Sequence, residues 1–362
     1  MQQQLIVQTG EEMEEPKAKS LRDRVSAYSA MAGKAFRSKP ISHWILLFLS
    51  SLGMLVAFPA SSLLSRLYFE NGGKSKWIAS WVAVTGWPMI ALFLVPTYFF
   101  LGVSPTPLNL KLIASYVVLG FMSAADNLLY AYAYAYLPAS TASLLSSTVL
   151  IFSALFGFLL VNNKLNASII NAIVIITAAM VIIALDSNSD RYGTITDSQY
   201  ALGFLWDILG SALHGLIFAL SELLFVKLLG RRSFHVVMEQ QIMVSLFAFV
   251  FTTIGVVVNN DFEGMAAEAR SFKGGKGSYL SVIIWSIITY QLGVLGGTAV
   301  LFLASTVLAG ILNSVRVPIT SIAAVVLLHD SMSGFKILSL AITFWGFGSY
   351  IYGTYPVEKD SP

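Results

Sequence analysis

The chain has 362 residues, of which 56% are hydrophobic and only 11% charged, with a net charge of +3 and a mean hydropathy of +0.74. Soluble globular proteins carry about 25% charged residues, so this composition excludes that class. The absence of cysteine excludes a disulfide-stapled secreted domain, and the apolar content excludes disorder over most of the length. The composition indicates an all-α polytopic membrane protein.

Ten stretches are apolar and long enough to cross a bilayer as helices, which takes about 20 residues. They are 43–65, 77–101, 112–136, 141–161, 167–187, 201–227, 234–258, 279–303, 306–328 and 334–353. The predicted organisation is a polar cytosolic tail (1–42), spans one to five (43–187), spans six to ten (188–353) and a cytosolic C-terminal tail (354–362).

Lys and Arg are more numerous on the side that carries the N-terminus, largely because of residues 17–39. Since positive charge marks cytosolic segments, we expect a multi-pass protein with both termini in the cytosol. The sequence leaves both the plasma membrane and the vacuolar membrane open.

A weak internal repeat supports a two-part architecture. Residues 137–185 consist of a short loop, a Ser-Thr pair, an apolar helix, a polar bend and a second apolar helix, and residues 304–353 follow the same plan. Five spans per repeat is an odd number, so two consecutive units must insert with opposite orientation. Inverted repeats around a central site are a common transporter plan.

Polar side chains within the spans are the candidate site residues, because they are costly in hydrocarbon and usually face the protein interior. In the third span Asp126, Asn127 and Tyr130 share a face and predict a polar, aromatic cavity wall, with a helix–helix hydrogen bond as the alternative. Trp87, between Gly86 and Pro88, lies at a predicted helix bend where an indole can stack on a flat ligand or simply pack.

The second half of the chain supplies the remaining candidates. Asn313 and Arg316 share a face of the ninth span, and Arg316 is expected to contact cargo or to pair with Asp126, Glu222 or Glu239. Gln291, in the eighth span, is expected to hydrogen-bond the ligand. Glu222 and Glu239 are candidates for proton coupling or gating, with structural ion pairs as the alternative.

The sequence lacks the motifs that several enzymatic and pumping activities require. The chain has no phosphate-binding loop of the Walker kind, no zinc-protease motif and no Ser-His-Asp set at membrane depth, so we expect neither an enzyme nor an ATP-driven pump. No cofactor, metal or nucleic-acid partner is expected, and His214 lacks a second His or Cys with which to hold a metal. A single cation deep in the spans, Arg316, favours a small neutral or cationic cargo.

The sequence resembles the plant purine permease family over nearly all of residues 45–353. The matching motifs, in chain order, are RLYFENGG (66–73), KW (76–77), GWP (86–88), DNLLYAY (126–132), LPAST (137–141), SELL (221–224), DF (261–262), Trp285 with Gln291, ST (305–306) and FWGFGSY (344–350).

The resemblance implies the drug/metabolite transporter fold, with ten helices in two inverted five-helix repeats. It also implies a generally proton-coupled carrier of adenine-like nucleobases, cytokinins and, in some members, alkaloids or vitamin B6 forms. By motif it assigns functional positions to Trp87, Asp126, Asn127, Tyr130, Glu222 and Gln291. One departure is Ala83, where many members have Gln, and this bears on cargo preference.

These observations predict a secondary active transporter for purine-like heterocycles that works by alternating access. In this hypothesis the ring stacks on Trp87 or Tyr130, and Asn127 and Gln291 bind its edge. Asp126 or Glu222 accepts the coupling proton, and Arg316 holds a carboxylate in place. Alternatives are a carrier of alkaloids or other small cationic or neutral metabolites, a membrane receptor without flux, and, least favoured, an intramembrane enzyme.

Overall fold

The computed structural model describes residues 40–163, 165–186, 195–230, 234–303 and 306–354. The predicted cytosolic tails lie outside these ranges, apart from residues 40–42 and Thr354. The chain divides into two compact units, Met1–Leu49 and Ser50–Pro362. Of the first unit only the start of the first helix is described, and the contacts below all belong to the second unit.

The described residues form helices joined by short connections. In chain order they are α1 (Ile41–Glu70), α2 (Lys76–Phe100), α3 (Leu110–Tyr136), α4 (Ala139–Val161), α5 (Ala167–Leu185), α6 (Asp197–Leu229), α7 (Phe234–Val258), α8 (Asp261–Ser271), α9 (Gly275–Leu303), α10 (Thr306–Leu328) and α11 (Gly334–Thr354).

Every predicted span coincides with one of these helices, which confirms the all-α polytopic class. Within the described ranges, nine helices are long and apolar enough to cross a membrane, and Val315–Leu328 of α10 is a shorter apolar segment. The count of ten spans and the inverted repeat stay predictions. Helix α8 was not predicted, because it lies in a polar connection.

Two bends in the chain share an unusual backbone conformation. Asn162, which follows α4, has φ 62°, and His329, which follows α10, has φ 56°. A positive φ is uncommon for residues other than glycine, although Asn and His adopt it more readily than most. Asn162 and His329 occupy corresponding bends of the proposed repeat, but Asn260, which precedes α8, also has φ 56°, so this conformation does not by itself establish the repeat.

Helix α3 is packed on several sides, against α2, α6 and α7. Its contact with α7 is close, because a Cβ at Gly120 would lie 2.4 Å from the Cβ of Phe247. Small residues let helix backbones approach closely in membranes. The polar side chains of α3 are thereby held inside the protein rather than at its surface.

Large apolar side chains cover the outward helix faces. Examples are Leu92 and Phe93 on α2, Val174 on α5 and Val326 on α10, all of them exposed. Such surfaces are unfavourable in water and suit a protein whose solvent is lipid.

A buried carboxylate joins the α1–α2 loop to α8. Glu268 accepts hydrogen bonds from the Tyr68 hydroxyl (2.6 Å) and the Tyr279 hydroxyl (3.3 Å), and through its other oxygen from the backbone N–H groups of Lys74 and Ser75 (both 3.0 Å). The Ser75 hydroxyl in turn accepts from the Ile78 N–H and so caps α2. This Glu268 network fixes the start of α2.

Replacing Glu268 by Ala should therefore lower stability. Four buried or partly buried donors lose their acceptor, which costs about 2–4 kcal/mol and should lower the thermal midpoint of the detergent-solubilised protein by roughly 5 °C or more. The matched control is Glu263→Ala, an exposed carboxylate on the same helix. Equal midpoints for the two variants would contradict this role of Glu268.

Candidate functional site

A carboxylate–imidazole pair joins α3 and α6. The Nδ1 atom of His214 lies 2.8 Å from Oδ2 of Asp126, and the Asp126 residue is only 4% exposed. The second oxygen of Asp126, Oδ1, is buried and has no hydrogen-bond partner in the described part of the chain. A buried carboxylate with one satisfied oxygen is a candidate binding group, because its second oxygen still lacks the donor that burial demands.

One helical turn from this pair, the Tyr130 hydroxyl lies 3.2 Å from the hydroxyl of Ser211. The next turn brings Tyr134 of α3 within electrostatic range of Asp207 on α6. Because α3 and α6 run antiparallel, these pairs lie at three successive levels along the two helices. We call them the α3–α6 column, made of Asp126–His214, Tyr130–Ser211 and Tyr134–Asp207.

Helices α9 and α10 add polar groups beside this column. The Tyr290 hydroxyl of α9 lies near the Asn127 side chain and within electrostatic range of both Asp126 and Arg316. Asn127 also donates its amide to the backbone oxygen of Ser123 (2.8 Å). Tyr290 thus connects the candidate residues of α3 with those of α10.

Arg316 stacks on an aromatic ring rather than pairing with an acid. Its guanidinium lies 4.8 Å from the ring centroid of Phe58 on α1, and that ring meets Tyr290 edge to face at 6.3 Å. No carboxylate in the described ranges lies within 4 Å of the guanidinium, so the expected pairing with Asp126, Glu222 or Glu239 is not observed, and neither is a carboxylate held by Arg316. A guanidinium on an aromatic face gains a cation–π attraction and keeps its N–H donors for other partners.

Gln291 hydrogen-bonds to the backbone of α2 next to the interruption in that helix. Its amide donates to the backbone oxygen of Ala83 (3.0 Å), and Oε1 is buried without a partner among the described residues. A Cβ at Gly86 would lie 2.2 Å from Cγ of Gln291, so only glycine fits there. Pro88 has no N–H to donate to the preceding turn, and α2 is interrupted at Gly86, three residues after the Ala83 oxygen that Gln291 binds.

Trp87 is half-buried at this break. Among the described residues, no hydrogen bond or ring contact joins Trp87 or Gln291 directly to Asp126. They are linked to the column through α9, because Gln291 directly follows Tyr290 in the chain.

The two predicted glutamates lie away from these groups, whereas Asn313 is on the helix of Arg316. Glu222 is exposed near the end of α6, where its carboxylate receives a 3.4 Å contact from the Asn163 amide. Glu239 accepts from the Tyr98 hydroxyl (2.7 Å) and the Thr106 N–H (3.1 Å) and so ties the α2–α3 connection to α7. Asn313 is half-buried on α10, on the same face as Arg316.

Two features of the site were not predicted. Asp207 is fully buried in α6, and the Asp126–His214 pair unites residues that the sequence placed in separate spans. An acidic residue inside an apolar stretch was the available signal for Asp207. The expectation of a single deeply buried cation was also wrong, because Arg66 and Lys336 are 3% and 1% exposed near helix ends and donate to Tyr134 and Ser140 respectively.

The side chains of Asn127, Tyr130, Tyr290 and Arg316 are partly exposed, although they lie among contacting groups from α1, α3, α6, α9 and α10. Polar and aromatic groups held among packed apolar helices are typical of a helical membrane transporter for small molecules.

Comparison with known proteins agrees with this class. A family model described as purine nucleobase transmembrane transport matches residues 45–360. The chain is 74% identical over 321 residues to probable purine permease 5 of Arabidopsis thaliana (89% of each chain), and 35% identical over 306 residues to purine permease 3 of the same species (82% of this chain, 87% of the relative).

The chain belongs to the purine permease family, whose members are transporters and not enzymes. A solved crystal structure, 13% identical, aligns over 83% of this chain and 97% of its own with a TM-score of 0.52, which supports the fold alone.

Gly86 should not tolerate a side chain. Gly86→Ala places a methyl group against Gln291, and overpacking of this kind costs about 1–3 kcal/mol. We expect a lower thermal midpoint, and the double change Gly86→Ala with Gln291→Ala should recover at least half of the loss. Gly348→Ala, whose Cβ would meet no atom within 4 Å, is the control. A Gly86→Ala protein as stable as its parent would show that the contact is not tight.

Proposed function

We propose that the chain is a proton-coupled secondary transporter that moves purine nucleobases, and purine derivatives such as cytokinins, by alternating access. Family membership supplies the coarser function, membrane transport of purine nucleobases. The observation that carries the finer proposal is the meeting of Asn127, Tyr290 and Arg316 beside the Asp126–His214 pair.

A purine ring needs an aromatic face and hydrogen-bonding groups along its edge. Tyr130 and Trp87 are the proposed stacking partners, and Asn127 and Gln291 the proposed edge contacts. The buried Oε1 of Gln291 can accept a ring or exocyclic N–H, and the unused N–H groups of Arg316 can donate to a ring nitrogen or carbonyl. Asn313, on the face of Arg316, is a further proposed contact.

Proton coupling requires a titratable group whose surroundings change with cargo. Asp126 takes part in this coupling, because a ligand that contacts His214 or Asn127 alters the partners of its carboxylate, and a second buried acid of the same column, Asp207, is close enough to respond. Glu222 and Glu239 lie at helix ends away from the column, and we propose that they act in gating. Both termini are proposed to be cytosolic.

One observation favours a second cargo class. Oδ1 of Asp126 is a buried acceptor without a donor, which suits the N–H of a protonated amine. A carrier of cationic heterocycles such as alkaloids is therefore the second candidate, and Ala83, in place of the family glutamine, is consistent with an altered preference.

Purified protein in liposomes should show saturable uptake of radiolabelled adenine or cytokinin that increases when the outside is acidic. Asn127→Ala should reduce this uptake roughly tenfold or more, because a site built around a hydrogen bond rejects cargo strongly when that bond is lost. Glu263→Gln is the control.

A competition panel of purines, cytokinins and a cationic alkaloid separates the two cargo classes. If no purine or cytokinin shows saturable flux while the alkaloid does, the second candidate replaces the first. Ligand binding without counterflow would contradict transport altogether.

Orientation can be tested cleanly because the chain has no cysteine. With the protein at the plasma membrane, a cysteine introduced in place of Glu263 should react with an impermeant maleimide in intact cells. A cysteine in place of Asn163 should react only after permeabilisation. The reverse pattern would contradict cytosolic termini.

A further inference from the structure

Asp207 is the acidic member of the α3–α6 column that neither the sequence motifs nor the family relationship singled out. It lies within α6 and is 0% exposed. A carboxyl group so placed costs several kcal/mol if it is charged and unpaired, so its partners decide what it can do.

Those partners are few. Oδ2 of Asp207 is buried and has no hydrogen-bond partner in the described ranges, and no Lys, Arg or His nitrogen described here lies within 4 Å of the carboxyl group. The titratable groups that face it are Asp126, Tyr130 and Tyr134 from α3, while α4 presents the hydroxyl of Ser146 and has no charged residue. His214, on the same helix, already pairs with Asp126.

The contact with Ser146 is compatible with a protonated Asp207. The Ser146 hydroxyl has a single proton, and it donates that proton to the backbone oxygen of Ala142 at 2.8 Å. Its oxygen lies 3.4 Å from Oδ1 of Asp207, which is a poor distance for a second donation. If Asp207 is protonated, its own O–H can donate across the same distance to a lone pair of the Ser146 oxygen, which is a weak hydrogen bond but needs no second proton from Ser146.

The neighbouring carboxylate, Asp126, also favours a protonated Asp207. Asp126 lies within electrostatic range of Asp207, and a negative charge on one of two buried carboxyl groups disfavours a negative charge on the other. Asp126 has His214 as its partner, whereas Asp207 has no cation. Of the two carboxyl groups, Asp207 is therefore the one with fewer neighbours to stabilise a negative charge.

We propose that Asp207 is the residue that carries the coupling proton, while Asp126, held by His214, contacts the cargo. A hydronium ion from the acidic side supplies the proton, an O–H bond forms on the Asp207 carboxylate, and the same bond breaks when water on the other side takes the proton. The Tyr130–Ser211 hydrogen bond lies between the two carboxyl groups and links their states. Asp207 is about 10 Å along α6 from His214, at 1.5 Å per residue, so proton and cargo occupy separate positions. This assignment rests on the proposed transport function.

The first test compares two modes of transport in liposomes. Asp207→Asn, which mimics the protonated acid, should retain purine counterflow within about twofold of the parent and lose accumulation driven by a pH gradient. Accumulation equal to that of the parent overturns the proposal, and so does loss of counterflow in a protein that elutes and melts normally. Glu263→Gln, which removes an exposed carboxylate outside the column, is the control.

The second test needs no cargo. Infrared spectra of the purified parent should contain the carbonyl stretch of a protonated carboxylic acid at neutral pH. Asp207→Asn should remove this band, Asp126→Asn should keep it, and Ser146→Ala should shift it, because the acid loses its hydrogen-bond acceptor. A band that persists in Asp207→Asn, or that is absent from the parent, overturns the assignment.

If Asp207→Asn does not fold, the Ser146→Ala spectrum decides, since an unshifted band contradicts the proposed hydrogen bond. If the parent shows no purine flux, the transport proposal fails, while the infrared result still decides whether Asp207 holds a proton. If the parent transports purines without any response to a pH gradient, the coupling role of Asp207 fails alone.

Discussion

The structure depends on one constraint, which is the cost of an unsatisfied polar or charged group in the interior of a membrane. Each such group must find a partner, a ligand or a change of protonation state. Asp126 pairs with His214, and the Arg316 guanidinium stacks on the ring of Phe58. Among the described residues, Oδ1 of Asp126 and Oε1 of Gln291 are two of the buried oxygens without a partner, and the proposed function assigns them to the cargo.

The same constraint explains the interrupted second helix. Pro88 weakens the hydrogen-bond ladder of α2, and Gln291 satisfies the exposed oxygen of Ala83 from a neighbouring helix. Gly86 is required because Gln291 passes so close to it. A break that would be unstable alone is thus held by α9, and the helix that holds it also carries Tyr290 to Asn127.

Much of the fold was predictable from the sequence, because a bilayer leaves few choices. Hydrophobic length predicted all the long helices, and helical periodicity predicted that Asp126, Asn127 and Tyr130 share a face. Helix α8 could not be predicted in this way, since its place depends on Glu268, whose partners Tyr68 and Tyr279 lie far away in the chain.

The sequence predicted which residues belong to the site but not which of them contact one another. Hydrophobicity and spacing identified Gln291 and Arg316 but not their partners, because rotation between helices decides which faces meet. For that reason Glu222 and Glu239, which equally well met the rule for intramembrane acids, lie outside the column. Asp207 was missed because no neighbouring polar residue drew attention to it, and its isolation is the property that makes it a candidate proton carrier.

The central claim is that cargo binds inside the helices, between α3, α9 and α10. A cryo-electron microscopy map of the full chain with adenine bound tests it most directly. The account predicts planar density in contact with Asn127, Tyr290 and Arg316 and within reach of Asp126. Density on an outward surface, or an interior filled by side chains with adenine bound elsewhere, would contradict it.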